Sequence, residues 1–152
     1  MEFLSGLVGV FIGTFLSYFF TRRESQRQTR INTTLKMYER LQGALPSRLI
    51  ADQILKQHLS SENPLTYREI KSSLNPEQWQ HISTTRNIFS ELGLLYRAGY
   101  LDIGLAKVLF APTFRYWYET HLLKLEVNPV INDINPVKWV VHPDEIASWL
   151  LS

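Results

Sequence analysis

The first feature of the chain is an apolar run near its N-terminus, with polar residues after it. From Phe3 to Phe20 there is no Asp, Glu, Lys, Arg or His. As a helix rising about 1.5 Å per residue, this run is roughly 27 Å long, which is close to the hydrocarbon thickness of a bilayer. The pattern predicts an uncleaved transmembrane anchor over residues 1–21. The alternatives are a buried core helix and a cleaved signal peptide, but Glu2 before the run and Arg22 after it do not fit a signal peptide.

Small residues recur at every fourth position of this run: Ser5, Gly9, Gly13 and Ser17. In lipid, helices associate through close backbone contact, which small residues permit and large residues prevent. Each step of four residues turns about 40° around the helix axis, so the strip winds as a right-handed crossing partner requires. We therefore expect this face to pack against an integral membrane protein or against a second copy of the chain.

Beyond the apolar run, the pattern predicts one long helix. No Gly or Pro interrupts residues 14–42, so the spanning helix is expected to continue as a basic juxtamembrane helix over residues 22–43. Asn32-Thr33-Thr34 has lower helix propensity, and a bend or a new helix start at this point is the alternative. Gly43 and Pro46 then indicate a turn, which opens a helical domain over residues 44–152.

The domain begins with short amphipathic elements. One apolar face is predicted from Leu49, Ile50, Ile54, Leu55 and Leu59. Asn63-Pro64 and Asn75-Pro76 each place a capping residue before a Pro, which is typical of a helix N-terminus. The second start leads to the longest helix of the domain, about residues 76–98, with Gly99 as its stop and Asp102 as the cap of the next helix.

The last part of the domain is predicted from prolines and aromatic residues. Pro112 is expected to open a helix. Its apolar side comprises Phe114, Trp117, Tyr118, Leu122 and Leu125. After a turn-rich segment over residues 127–141, a short helix from about Pro143 can dock Ile146, Trp149 and Leu150. The predicted fold class is all-α, with a single N-terminal transmembrane helix that continues into a small cytosolic helical bundle.

Composition agrees with one folded unit, since 45% of the residues are hydrophobic and 20% are charged. The absence of Cys excludes disulfides and thiol catalysis. The net charge of +2 is local: residues 21–40 carry six bases and two acids, whereas residues 41–152 carry ten bases and eleven acids. A nearly neutral domain argues against nucleic acid as a partner.

The local positive charge lies directly after the apolar run, at Arg22, Arg23, Arg27 and Arg30. These four arginines are expected to rest on anionic lipid headgroups. With Glu2 on the other side of the run, they place the N-terminus outside and the C-terminal domain in the cytoplasm.

A short motif supports the helical architecture. The residues that carry it are Glu91, Leu92, Gly93, Leu94, Leu95, Tyr96, Gly99, Leu101, Asp102, Tyr116 and Trp117. Residues 87–121 resemble the core of a bacterial and phage domain family of unknown function, which pairs an N-terminal membrane helix with a small helical domain. The resemblance covers under a quarter of the chain, and it implies the architecture without implying an activity.

The sequence offers no catalytic, cofactor or metal site. The four histidines have no metal-ligand spacing, and His121 is interpreted as a hydrogen-bonded residue at the boundary of the core. Glu91 is expected to reach the surface. The cluster FRYWY, residues 114–118, is expected to pack into the core, which leaves Arg115 and Tyr116 as a possible partner surface.

These observations favour a non-enzymatic, single-pass membrane protein. In the first interpretation it is an accessory or assembly subunit that docks onto a larger membrane complex through its small-residue face and its helical body. In the alternative interpretation the span self-associates, and the protein is a membrane effector of a stress or phage-defence response.

Overall fold

The computed structural model describes the backbone of residues 2–60, 67–127 and 141–152, and the side chains of residues 14–60, 68–125 and 141–152. Within these ranges the fold is all-α, as predicted, and contains no strand. The helices are α1 (Glu2–Gly43), α2 (Leu45–Leu59), α3 (Tyr67–Ser73), α4 (Pro76–Arg97), α5 (Ile103–Trp117), a π-helix (Tyr118–Leu122), α6 (Leu123–Val127) and α7 (Pro143–Leu150). The predicted helix start at Asn63-Pro64 and the turn-rich segment after Val127 lie outside the described residues.

Helix α1 is continuous through the point where a bend was an alternative. The hydroxyl of Thr33 donates to the carbonyl of Thr29 at 2.9 Å, and the hydroxyl of Thr34 donates to the carbonyl of Arg30 at 2.8 Å. Both bonds turn the hydroxyls back onto the preceding turn of the helix, so these residues are accommodated without a break. The prediction of an uninterrupted helix is confirmed, and the alternative of a new helix start at this point is wrong.

The core of the helical body draws on both ends of the chain. Its members include Leu41, Leu55, Phe89, Phe110, Phe114, Trp117 and Ile146, all buried. Because Met37 and Leu41 are buried, the last turns of α1 belong to the packed body. The body is therefore joined to the N-terminal part of α1 without a linker.

Helix α2 forms as predicted, but its apolar face is narrower than the sequence indicates. Ile54, Leu55 and Leu59 are buried, whereas Leu49 and Ile50 are exposed. The N-terminal half of α2 buries Arg48 and Ala51 in their place. The inclusion of Leu49 and Ile50 in the buried face was wrong.

The predicted ends of α4 are confirmed. Asn75 Oδ1 accepts the backbone N–H of Gln78 at 2.8 Å, and the backbone N–H of Asn75 donates to Gln78 Oε1 at 3.2 Å. This reciprocal pair is a capping box, with Pro76 in the first turn. At the other end Gly99 adopts φ +70°, a left-handed conformation that glycine adopts without a steric penalty. The following cap is Asp102, whose Oδ1 accepts the N–H of Leu105 at 2.9 Å.

The prediction that Pro112 begins a helix is wrong. This proline lies inside α5, which already starts at Ile103 behind its Asp102 cap. Pro112 is exposed, while Phe110 and Phe114 on either side of it are buried. This burial holds the helix together across a residue that cannot donate the N–H bond to the preceding turn. The helix then widens into the π-helix, which contains His121.

Helix α7 docks as predicted, with Ile146, Trp149 and Leu150 buried. The ring of Trp149 stacks on Tyr96 of α4 with 4.1 Å between centroids. Nearby, Arg97 Nε donates to Glu145 Oε1 at 2.6 Å. Val141, which lies just before α7, packs directly against Gly93 of α4.

Candidate functional site

The N-terminal part of α1 projects from the body. Every side chain from residue 14 to residue 30 is exposed, over roughly 25 Å at about 1.5 Å per residue. Its first turns carry five large exposed hydrophobic residues: Phe15, Leu16, Tyr18, Phe19 and Phe20. A helical surface of this kind is expected to be covered by lipid or by another protein.

The predicted span itself falls largely on residues whose side chains are not described. Among the residues that the structure describes, no helix has both the length and the apolar content needed to cross a membrane. Of the small-residue strip, Ser17 is exposed, and Ser5, Gly9 and Gly13 lie outside the residues with described side chains. The anchor over residues 1–21 therefore stays a prediction.

The four predicted membrane-surface arginines are all exposed, and three of them share one groove. Arg23, Arg27 and Arg30 line a groove of about 680 Å³ between α1 and the turn that precedes α5. Arg22 is not among its lining residues, so it faces another direction. Asp102 and Glu24 also line the groove, which lowers its net positive charge.

The predicted partner surface is exposed, but one of its members already has an intramolecular role. Arg115 and Tyr116 both face solvent, and Phe114 and Trp117 beside them are buried as predicted. The hydroxyl of Tyr116 donates to Asp52 Oδ1 at 2.6 Å. Tyr116 therefore ties α5 to α2, while Arg115 stays at the surface.

Asp52 is the centre of a polar cluster that the sequence does not reveal. His121 Nε2 lies 2.7 Å from Asp52 Oδ1, and Lys56 Nζ lies 2.8 Å from Asp52 Oδ2. His121 is fully buried, against the ring of Trp117 at 4.9 Å between centroids. The interpretation of His121 as hydrogen-bonded is confirmed, but its position at the boundary of the core is wrong. This histidine lies in the π-helix, whose turn is wider than that of an α-helix, and its side chain enters the core.

The two titratable partners in this cluster have shifted pKa values. Burial lowers the pKa of His121 and outweighs the opposing effect of its hydrogen bond to Asp52. For Asp52, burial acts to raise the pKa, but hydrogen bonds from Lys56, Tyr116 and His121 together lower it. His121 Nδ1 is buried without a hydrogen-bond partner. Protonation would place an N–H at that position with no acceptor, which agrees with a neutral ring that donates from Nε2.

These shifts predict how stability depends on pH. As the pH falls below about 6.5, the unfolded state takes up the His121 proton before the folded state does, so the free energy of unfolding decreases. The contribution of Asp52 is present above about pH 3.9 and is lost as the pH falls through its lower folded-state pKa. Urea unfolding at about pH 7.5 and about pH 5.5 measures the first effect.

A His121→Gln variant is expected to lose most of the difference between these two pH values. The matched control is His81→Gln, on α4, where the ring lies 3.1 Å from the Ser47 hydroxyl. Equal pH dependence in the parent and in His121→Gln would contradict the assignment of this titration to His121.

The remaining acidic candidate, Glu91, reaches the surface as expected and pairs there with Arg40 of α1. Sequence reasoning missed Asp52 and Lys56 entirely. Their spacing of four residues on α2 was the only local signal, because His121 and Tyr116 come from more than sixty residues further along the chain. Among the described residues, no group of three or more His, Cys, Asp or Glu side chains is placed to hold a metal ion.

Comparison with known proteins adds no assignment to this geometry. No family model, curated protein or solved structure matches the chain.

Proposed function

We propose that this chain is a single-pass membrane protein without catalytic activity, an accessory or assembly subunit of a larger membrane complex. Its N-terminal helix inserts into the bilayer with the N-terminus outside, and its helical body lies in the cytoplasm. The small-residue face of the membrane helix and the helical body together bind the partner complex.

The observation that supports this proposal is the projecting end of α1. Phe19 and Phe20 are 61% and 67% exposed, at the end of an apolar run, and neither is part of the body's core. In water this surface would be an aggregation hazard, whereas at a membrane interface aromatic side chains are favoured. The basic residues follow at once, at the depth where anionic headgroups would meet them.

A pair of glycine variants tests the proposal. Gly9→Leu with Gly13→Leu keeps the run apolar, so the protein is expected to stay in the membrane fraction after alkaline carbonate extraction. Each leucine fills the space that a neighbouring backbone would occupy, so association in mild detergent is expected to fall at least about ten-fold. Val8→Leu with Ile12→Leu is the control, because it changes side chains of the same helix turns outside the strip.

The outcomes separate the two modes of association. The accessory role is supported if a different integral membrane protein is recovered in fixed ratio with the parent and with the control pair, but is lost from the glycine variants. Loss of self-association alone favours a self-associating membrane effector instead. Release of the parent by carbonate would contradict the membrane proposal, and equal association of both pairs would contradict the role of the strip.

A further inference from the structure

A second groove lies on the body, between α2 and α5, away from the arginines of α1. It measures about 370 Å³. Its lining residues are Leu45, Arg48, Leu49, Asp52, Pro112, Thr113, Tyr116 and Trp117. Four of these eight residues carry a polar or charged group, and the other four are largely apolar. A groove of several hundred Å³ is large enough for a small organic ligand.

Arg48 is the unusual member of this lining. It is only 7% exposed, and its Nε is buried without a hydrogen-bond partner. No carboxylate in the described part of the chain forms an ion pair with it. A buried guanidinium keeps its charge and is costly to leave without a counter-charge.

The acid nearest in sequence on the same helix cannot neutralise Arg48. Asp52 lies one turn later, but its Oδ1 accepts from Tyr116 and His121, and its Oδ2 accepts from Lys56. Both carboxylate oxygens of Asp52 are thus engaged by other residues, and Lys56 balances its negative charge. The groove is left with one cation that lacks an anion.

We propose that this groove binds an organic monocarboxylate with an apolar body. The carboxylate pairs with the planar guanidinium of Arg48, which matches two carboxylate oxygens. The apolar body lies on Leu45, Leu49 and Pro112. A single anionic charge fits better than a phosphate dianion, because the groove offers one cation without an ion-pair partner.

The site is independent of the membrane proposal, since none of its lining residues comes from α1. The test uses the full ¹⁵N-labelled chain in phosphatidylcholine nanodiscs and follows arginine Nε–H signals by NMR. The probes are hexanoate, its uncharged analogue hexan-1-ol, and inorganic phosphate. Hexanoate is expected to shift one arginine signal saturably, and hexan-1-ol is expected to bind at least about ten-fold more weakly.

Variants identify the responding residue. The signal that hexanoate shifts is expected to be absent from Arg48→Met, which removes the buried charge and keeps an unbranched apolar side chain. Hexanoate binding by this variant is expected to fall to the level of hexan-1-ol. Arg68→Met removes an exposed arginine from α3, outside the groove, and is expected to bind hexanoate as the parent does.

Three results would overturn the proposal without any bearing on membrane insertion. The first is equal binding of hexanoate and hexan-1-ol by the parent, or no saturable hexanoate binding. The second is hexanoate binding that survives in Arg48→Met, which would assign the anion to the exposed arginines of α1. The third is tighter binding of phosphate than of hexanoate.

Discussion

Replacing Gly93 with alanine is expected to destabilise the protein by roughly 1–3 kcal/mol. A Cβ at this position would lie 2.6 Å from Val141 Cγ1 and 2.7 Å from Val141 Cβ, which is closer than packed carbons approach. In an open helix interior the same change stabilises by about 1 kcal/mol, because glycine is the poorer helix former. The sign of the effect therefore reports the contact between α4 and the segment that leads into α7. Thermal unfolding in mild detergent, followed by circular dichroism, measures it.

Two comparisons make the Gly93 result specific. Gly104→Ala is the control, since its Cβ would meet only Asp102 Oδ1 at an ordinary 3.6 Å, and it is expected to be neutral or stabilising. In a Val141→Ala background, Gly93→Ala is expected to cost less, because two of the three close contacts are gone. If Gly93→Ala is as stable as the parent, Val141 does not lie against α4.

Replacing Trp117 with alanine is expected to cost roughly 3–5 kcal/mol. The side chain is 4% exposed, with Phe89 at 6.2 Å and His121 at 4.9 Å between ring centroids. Its removal leaves a cavity where α4, α5 and the π-helix meet, and the buried rings of Phe89 and His121 limit how far that cavity can collapse. Urea unfolding of the full chain is the measurement.

The control for Trp117 is Tyr100→Ala, an aromatic residue that is 58% exposed. Its effect is expected to stay within about 0.5 kcal/mol. An unchanged unfolding midpoint in Trp117→Ala would move that ring from the core to a binding surface.

Local sequence signals predicted helix ends correctly where all the residues that form the end lie within one short segment. Asn75 supplies its own cap, with Gln78 three residues later, and Gly99 supplies its own stop. Pro112 shows the limit of such signals. It follows Ala111, which has no capping side chain, and the burial of Phe110 and Phe114 in the core decides that the helix continues through it.

The polar sites could not be predicted, because they depend on which helices meet. Nothing near His121 in sequence indicates that Asp52 will be its partner, 69 residues away. In the same way, Arg48 belongs to an otherwise apolar helix face and becomes notable only when no acid reaches it. Composition and spacing locate such residues, and the tertiary packing determines their environment.

Because α1 is continuous, it determines how the helical body is oriented relative to the N-terminal end of the chain. Thr34 fixes the rotation of this helix, since its hydroxyl oxygen also accepts the backbone N–H of Asp102 at 3.0 Å. Successive residues of a helix are about 100° apart around its axis. The angular position of every side chain from residue 14 to residue 30 is therefore set relative to the body. One residue inserted near Gln26 would turn the whole N-terminal end by about 100° and leave its composition unchanged. The helix thus fixes the orientation of the body about the helix axis. Whatever binds the N-terminal end of α1 therefore always meets the same side of the body.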